Sequence, residues 1–383
     1  MANGKYQKAT NNIYILQKLK QGNFSRKKIG IDLDLQPSTV TYATSRMLEE
    51  GLIEEKGSLE NSQKGRKQKL LGLNGNYGCV MGIELLVDHF RAIVLNFSGE
   101  KILEESQNFS EDFIKEEKGS VQRFEHITTY TLEFLAKKIP NQKILGACIG
   151  IAGIISKNGK YIHSSWTQGL YNYDATKFLS TFCYPIFFEN DANCAAVSKI
   201  NSENDTCIYT IVQRYSQNEV PKNVPTIGIG MGIIIDGHLR KGWNSKAGEF
   251  RSTMYHGKIL EKQLAISNME LASMEESKKT QKEFIRELIG NLFFAKGILD
   301  PRTIYLGGII LKWKKEFEKV LENDFPNEKN LFDKNVFTMI KEPGEDVKKG
   351  ASQLLLSSFF NLPSVNNQSI GWEDEISPLV KEL

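Results

Sequence analysis

The chain has 383 residues and a mass of 43.4 kDa, enough for two or three folded units at about 100–200 residues each. Hydrophobic residues at 40%, charged residues at 25% and only 10 prolines exclude wholesale disorder, a fibrous repeat and a disulfide-dense scaffold. Charge is divided unevenly: residues 1–75 hold 13 Lys/Arg against 7 Asp/Glu, and the remainder holds 36 against 39, a basic head on a mildly acidic body.

In the head, Ile13, Ile15, Leu16 and Leu19 form a compact apolar stripe that predicts a first helix over 11–20, stopped by Gly22-Asn23. Ser25 suits an N-cap, so a short second helix is predicted from Arg26 to about Asp34. Gln36-Pro37-Ser38-Thr39 breaks the chain and starts a third helix that runs to about Glu50. Its Val40, Ala43, Met47 and Leu48 face inward, while Thr39, Thr41, Tyr42, Ser45 and Arg46 face out. Such a helix-turn-helix lays its later helix in a DNA major groove. Leu52-Ile53, a polar stretch over 57–64 and Gln68–Leu73 read as a two-stranded wing. Arg66, in Gly65-Arg66-Lys67 at its base, suits a narrow minor groove of strongly negative potential. Residues 1–75 are therefore expected to be a winged helix-turn-helix domain. Its candidate DNA contacts are Arg26, Arg46, Arg66 and Lys67, with Ser38, Thr39, Thr41 and Tyr42 reading base edges. A three-helix unit also serves as a protein-docking module; the basic excess and the wing favour double-stranded DNA.

The body, residues 76–363, reads as α/β. Val80–Leu85 and Phe90–Leu95 predict a hairpin, and a helix follows a polar stretch, over 121–138. Ile144–Gly153 predicts a strand buried on both faces that ends in spaced glycines. Tyr184–Phe188 is another buried strand, running into Glu189-Asn190-Asp191-Ala192-Asn193 and a small-residue helix. Further strands are expected at Cys207–Val212, Thr226–Ile235 and Thr303–Gly308, with helices at about 257–270, about 278–298 and from Gly350-Ala351 through Leu356. Residues 364–383 carry no periodic signal and read as a tail. Five widely spaced cysteines form no C-x-x-C pair, so reduced, buried thiols are expected, and the chain lacks a secretory leader or a run of about 18 apolar residues, so a cytoplasmic location is expected.

Two lobes with a cleft between them would place Asn190-Asp191 at a strand end and a helix start. An amide offers donor and acceptor and a carboxylate accepts twice, so the pair can read vicinal hydroxyls; in a phosphotransferase the same carboxylate takes the proton of the attacking hydroxyl. Asp191 as a bare helix cap is the alternative. Glu249, after Ala247-Gly248, is a second candidate ligand.

Six features, in order and spacing, together resemble the ROK family. They are the helix-turn-helix with Gly65-Arg66-Lys67, Gly150-Ile151-Ala152-Gly153, the 189–193 motif, Gly228-Ile229-Gly230-Met231-Gly232, Ala247-Gly248-Glu249 and Leu306-Gly307-Gly308. The family comprises sugar kinases and winged-helix, sugar-responsive transcription factors such as the xylose and N-acetylglucosamine repressors. The resemblance implies an actin-like, hexokinase-type two-lobed fold, a homodimer or homotetramer, and a sugar held by Asn190, Asp191 and Glu249, with Gly153 and Trp166 lining the same cleft.

Departures from the family decide the branch. Its kinases open with Asp-x-Gly-Gly-Thr, whereas this chain reads Glu84-Leu85-Leu86-Val87-Asp88, so three bulky side chains are expected to fill the place where bare backbone meets ATP. The second phosphate loop, normally Gly-Thr-Gly, is Thr226-Ile227-Gly228. Phosphoryl transfer rests on positioning and charge stabilisation of that polyanion, so activity should be nearly abolished. The family's zinc-binding Cys cluster is also missing: Arg251-Ser252 follows the Ala-Gly-Glu, no cysteine follows Cys207, and His256 is expected to be an ordinary surface or core residue. The expectation is a sugar-responsive transcriptional regulator, a repressor of carbohydrate-metabolism genes, needing no cofactor or metal. The rival is an active sugar kinase with an added DNA-binding head. In a third reading the cleft is empty and the body only dimerises the head.

Overall fold

The computed structural model describes residues 2–59, 68–115, 119–215, 226–257, 262–331 and 336–362. The N-terminal unit contains α1 (Ala2–Lys20), β1 (Phe24–Ser25), α2 (Arg26–Asp32), α3 (Pro37–Glu49), β2 (Ile53–Leu59) and β3 (Gln68–Leu73). The Ser25 hydroxyl accepts from the Lys28 amide at 3.3 Å, capping α2 as its sequence position predicts. Helix α1 begins well before the predicted residue 11, because its first turns bear no apolar stripe and periodicity registers only the buried part. The strands pair antiparallel in the order β1-β3-β2, with Ile53 opposite Leu73. Arg66, Lys67 and the tail over 364–383 lie outside the described residues.

The first lobe holds β4 (Cys79–Leu85), β5 (His89–Asn96), β6 (Lys101–Asn108), α4 (Glu111–Lys115), α5 (Ser120–Lys138) and β7 (Ile144–Ile151). It continues through β8 (Ile154–Ile155), β9 (Tyr161–Ser165), β10 (Leu170–Asp174), α6 (Thr176–Leu179), β11 (Ile186–Asn190) and α7 (Asp191–Val197). Its main sheet runs β11-β7-β4-β5-β6, parallel across the first three strands and antiparallel beyond, and β8 to β10 form a side sheet. Strand β6 lies in the polar stretch left unassigned above: at a sheet edge, where one face is solvated, ladder hydrogen bonds rather than burial hold it.

The second lobe contains β12 (Cys207–Arg214), β13 (Ile227–Ile235), β14 (His238–Leu239), α8 (Asn268–Ala272), α9 (Lys278–Leu299) and β15 (Thr303–Gly308). Then come α10 (Lys314–Asp324), α11 (Pro326–Leu331), β16 (Phe337–Ile340) and α12 (Pro343–Ser358), and the sheet order is β14-β13-β12-β15-β16. The helix predicted over about 257–270 is corrected to the short α8. Ser267 and Glu270 form a reciprocal capping box that starts a helix there, and before it the Gln263 amide pairs with the Ile229 backbone, accepting at 2.8 Å and donating at 2.7 Å.

Helices α7 and α12 lie between the two sheets, α12 against β4, β5 and β7 and α7 against β12 and β13. A Cβ at Gly350 would overlap the carbonyl oxygen of Cys194, one at Gly232 that of Ala192, and one at Gly82 the backbone of α12. Glycines at these positions let backbone approach backbone. The central apolar cluster continues into the N-terminal unit, from Ala195 and Leu355 through Phe97 and Phe360 to Leu16 and Leu19. The Gln17 amide donates to the Phe360 carbonyl at 2.8 Å, and Phe360 stacks on Phe97. Cys79, Cys148, Cys194 and Cys207 are buried free thiols, and Cys183 is exposed. Among the described residues no helix is long and apolar enough to cross a membrane.

Because Gly350 has no room for a methyl group, Gly350→Ala is expected to destabilise the protein by about 3 kcal/mol, read as a lower urea midpoint. Gly297→Ala, where a Cβ meets nothing within 4 Å, should leave the midpoint unchanged or raise it slightly.

Candidate functional site

Strand β11 delivers Asn190 and Asp191 to the start of α7. The Asn190 side chain accepts from the Asn193 amide at 2.9 Å, capping the helix, and donates to the Gly153 carbonyl at 2.9 Å. Gly153 sits at φ +153°, where a Cβ would overlap the Ser164 carbonyl, so the glycine loop closes against β9. Beneath this corner the Glu189 carboxylate is buried and fully partnered: Lys241 lies 2.7 Å away and the Asn193 amide donates at 3.0 Å.

Asp191 is buried, with one oxygen accepting from the Ala192 amide at 2.8 Å and the other from the Gln213 side chain at 3.4 Å. Burial pushes its carboxyl up to about 7; Glu84 and Glu249 add to the rise, and the Ala192 amide opposes it. Glu249 is set against β13, pairing with Gly230, because Gly248 adopts φ +90° and its carbonyl accepts from the Met231 amide at 3.1 Å. The Glu249 side chain reaches solvent, yet the cleft walls desolvate it and hold its carboxyl above the ordinary range, with Lys246 pulling it down.

Gly153, Trp166, Asn190, Asp191 and Glu249, all expected from the sequence, line one cavity of about 90 Å³. Gln213, Tyr215 and Gln263 line it as well and escaped the sequence reading. Gln213 and Tyr215 are two apart at the end of a strand, a period that puts both on one face, but nothing local marks that face as a cavity wall. Carboxylates, amides and an indole ring around one small space supply the acceptors, donors and apolar face that a polyhydroxylated ring requires.

In the N-terminal unit, Ser38, Thr41 and Tyr42 are exposed on the first turns of α3 and Thr39 is half-buried. The Thr41 hydroxyl donates to the Pro37 carbonyl at 2.8 Å, and the Lys8 ammonium lies 4.9 Å from the centre of the Tyr42 ring. Arg26 donates to the buried Thr44 hydroxyl at 2.8 Å, tying α2 to α3, and Arg46 pairs with Glu50 at 2.8 Å. Two of the expected cationic contacts thus also have partners within the fold.

Residues 80–255 match the model of the ROK family. This chain carries a ROK domain. It is 31% identical over 261 residues to a xylose repressor of Caldicellulosiruptor bescii, an alignment covering 66% of this chain and 60% of that protein. It is 26% identical over 248 residues to the xylose repressor of Bacillus spizizenii, covering 63% and 59%. The chain thus matches about three-fifths of the length of these relatives. A ROK family transcriptional regulator, described as a homologue of the E. coli MLC protein, superposes with a TM-score of 0.63 at 14% identity, covering 92% of this chain and 99% of that one. The ROK hexokinase of Thermus thermophilus superposes at 0.53 and 16%, covering 72% and 96%. The fold is the actin-like two-lobed architecture of ROK sugar kinases and regulators.

Beside the small cavity of the ROK domain is a larger cleft of about 1240 Å³, sharing Ala152, Thr167, Asp191, Gln213 and Tyr215 with it. Leu85, Leu86 and Val87 line this cleft. In this turn the Leu86 amide donates to the His89 carbonyl at 2.9 Å, so that donor is not free to cradle a phosphate. The Glu84 carboxylate is buried against Arg91, and burial raises its carboxyl above the ordinary range. On the opposite wall Arg214 and Lys312 both pair with Glu275, at 3.0 and 3.1 Å.

Asp191 carries its proton more tightly folded than unfolded, so its contribution to stability is present in acid and is lost as pH rises from about 4 through about 7. Asp191→Asn should therefore match the wild-type Tm near pH 4 and exceed it increasingly up to about pH 8, measured by thermal unfolding across that range.

Proposed function

We propose that the protein is a sugar-responsive, DNA-binding transcriptional regulator of carbohydrate-metabolism genes that does not phosphorylate its ligand. Its N-terminal unit acts as a winged helix-turn-helix, with α3 in the major groove and Ser38, Thr39, Thr41 and Tyr42 at base edges. Arg26, Arg46, Arg66 and Lys67 meet phosphate or the minor groove. The sugar lies between the lobes against Trp166, with Gly153, Asn190, Asp191 and Glu249 as its ligands. The observation that carries this reading is the pairing of a set of hydroxyl-reading groups in the small cavity with a Leu85-Leu86-Val87 turn in the adjoining cleft whose Leu86 amide is already taken by the His89 carbonyl. The repressor names of the relatives support it.

Coupling between the two ends runs through α12. Its first turns are tied to both lobes: Lys348 pairs with Glu104 of β6 at 2.8 Å, and Asp346 accepts from Lys199 and from the Tyr209 hydroxyl, each at 2.7 Å. Past its last turn, Phe360 docks on α1. A sugar that binds one lobe arrangement more tightly shifts the population of that arrangement, and α12 transmits the shift to the paired heads of a dimer or tetramer.

D-xylose, the probe chosen for the relatives' name, should raise the Tm, and Asp191→Ala should remove that rise; a coupled assay should detect no ADP release with ATP and magnesium. Turnover of about 1 s⁻¹ or faster would establish the kinase alternative, which the retained Asp191 favours. Operator affinity by gel shift should fall about 1,000-fold between about 50 and 200 mM salt and fall again in Arg66→Ala, with protein docking indicated by salt-independent binding. Phe360→Ala should keep sugar binding while weakening the sugar's effect on DNA affinity; an unaltered effect would exclude the α12 route.

A further inference from the structure

The small cavity and the larger cleft adjoin, and Gln213 and Tyr215 line both where they meet. Both come from the end of β12. The Tyr215 hydroxyl donates to the Gln213 side-chain oxygen at 2.6 Å, which fixes the amide so that its nitrogen faces Asp191, where it donates at 3.4 Å. Room for the tyrosine ring exists because residue 228 is glycine: a Cβ there would come within 2.9 Å of the ring. Tyr215 is anchored besides by its amide, which donates to the Thr226 carbonyl at 2.8 Å.

From this geometry we propose that the Gln213–Tyr215 pair is the specificity element of the sugar site, a partition that limits the ligand to an unsubstituted monosaccharide ring. The proposal rests on the sugar-binding reading above and adds the size class of the ligand. A ring that stays on the small-cavity side leaves the partition standing, and Asp191 then meets one ligand hydroxyl while keeping Gln213. A ring bearing an exocyclic substituent at this wall has to displace the Gln213 amide. That breaks the Gln213 hydrogen bonds to Asp191 and Tyr215 and leaves a buried carboxylate with one partner fewer. Discrimination therefore comes from disruption of a hydrogen-bonded wall as well as from fit to the smaller ligand.

D-xylose and D-glucose are the probe pair, since they differ by one exocyclic hydroxymethyl group. Isothermal titration of the full chain should give at least about tenfold tighter binding of D-xylose. Gln213→Ala, which removes the wall, should narrow that ratio to about threefold or less, chiefly by improving D-glucose. Tyr215→Phe deletes only the hydroxyl that orients the amide and should narrow the ratio by about two- to threefold, so it serves as the test if Gln213→Ala does not fold. Equal wild-type affinities, or a ratio unchanged in a folded variant that still binds D-xylose, would overturn the partition while leaving the sugar site in place. Binding of neither sugar by the wild-type chain would overturn the sugar reading itself, and the partition with it.

Discussion

Helices α7 and α12 cross with backbone against backbone, since Gly350 faces the Cys194 carbonyl, while Ala192 and Ala196 of α7 face Gly230 and Gly232 of β13. The same closeness recurs where the two helices meet the sheets, at Gly82 and Gly150 below α12 and at Gly232 below α7. A larger side chain at any of these points would push a helix off its sheet, and the close packing of the interior transmits such a shift instead of absorbing it. What this crossing fixes is the start of α7, and with it Asn190, Asp191 and the glycine corner at 153. The geometry of the cavity follows from how tightly two helices pack some distance behind it.

Charge placement separates the scaffold from the site. Buried ionisable groups serving the scaffold are matched: Glu189 has Lys241, Lys348 has Glu104 and Glu345, and Asp346 has Lys199 with the Tyr209 hydroxyl. Removing one member of such a pair leaves an uncompensated buried charge, so these positions constrain the fold strongly. Asp191 is different. It is buried beside other carboxylates, it accepts from the Ala192 and Gln213 amides, which are neutral, and its proton affinity is raised in consequence. A group held in that condition next to a cavity is available to a ligand that brings hydroxyl donors. Around the larger cleft, among the described residues, the cations are paired within the protein, Arg91 with Glu84 and both Arg214 and Lys312 with Glu275.

Most regular elements were legible in the chain because burial imposes a period on sequence. The stripe of α1, the Ser25 cap, the hairpin of β4 and β5, the doubly buried β7 and the strand-to-helix corner at Asn190 all follow from local patterning. Where burial does not set the pattern, it failed. Polar β6 is a strand by pairing alone, and the sequence before residue 11 has no apolar period from which a helix could be read. The segment around Gln263 is held extended because a side-chain amide takes the place of a strand neighbour at Ile229. The individual sugar-site candidates came from motifs, and Gln213 and Tyr215 did not, since neither residue type at a strand end is unusual.

By itself the sequence determined the basic head, the order of most strands and helices, the glycines that permit close approach, and the bulky Leu85-Leu86-Val87 turn. Those properties are carried by residues near one another along the chain. Only the tertiary structure decided that five scattered residues share one cavity, that the bulky turn lines an adjoining cleft, and that α12 touches both lobes and leads into Phe360 on the head. These are relations between residues far apart in the chain, fixed by how closely backbones approach and by which buried charges find partners, and no local pattern encodes them.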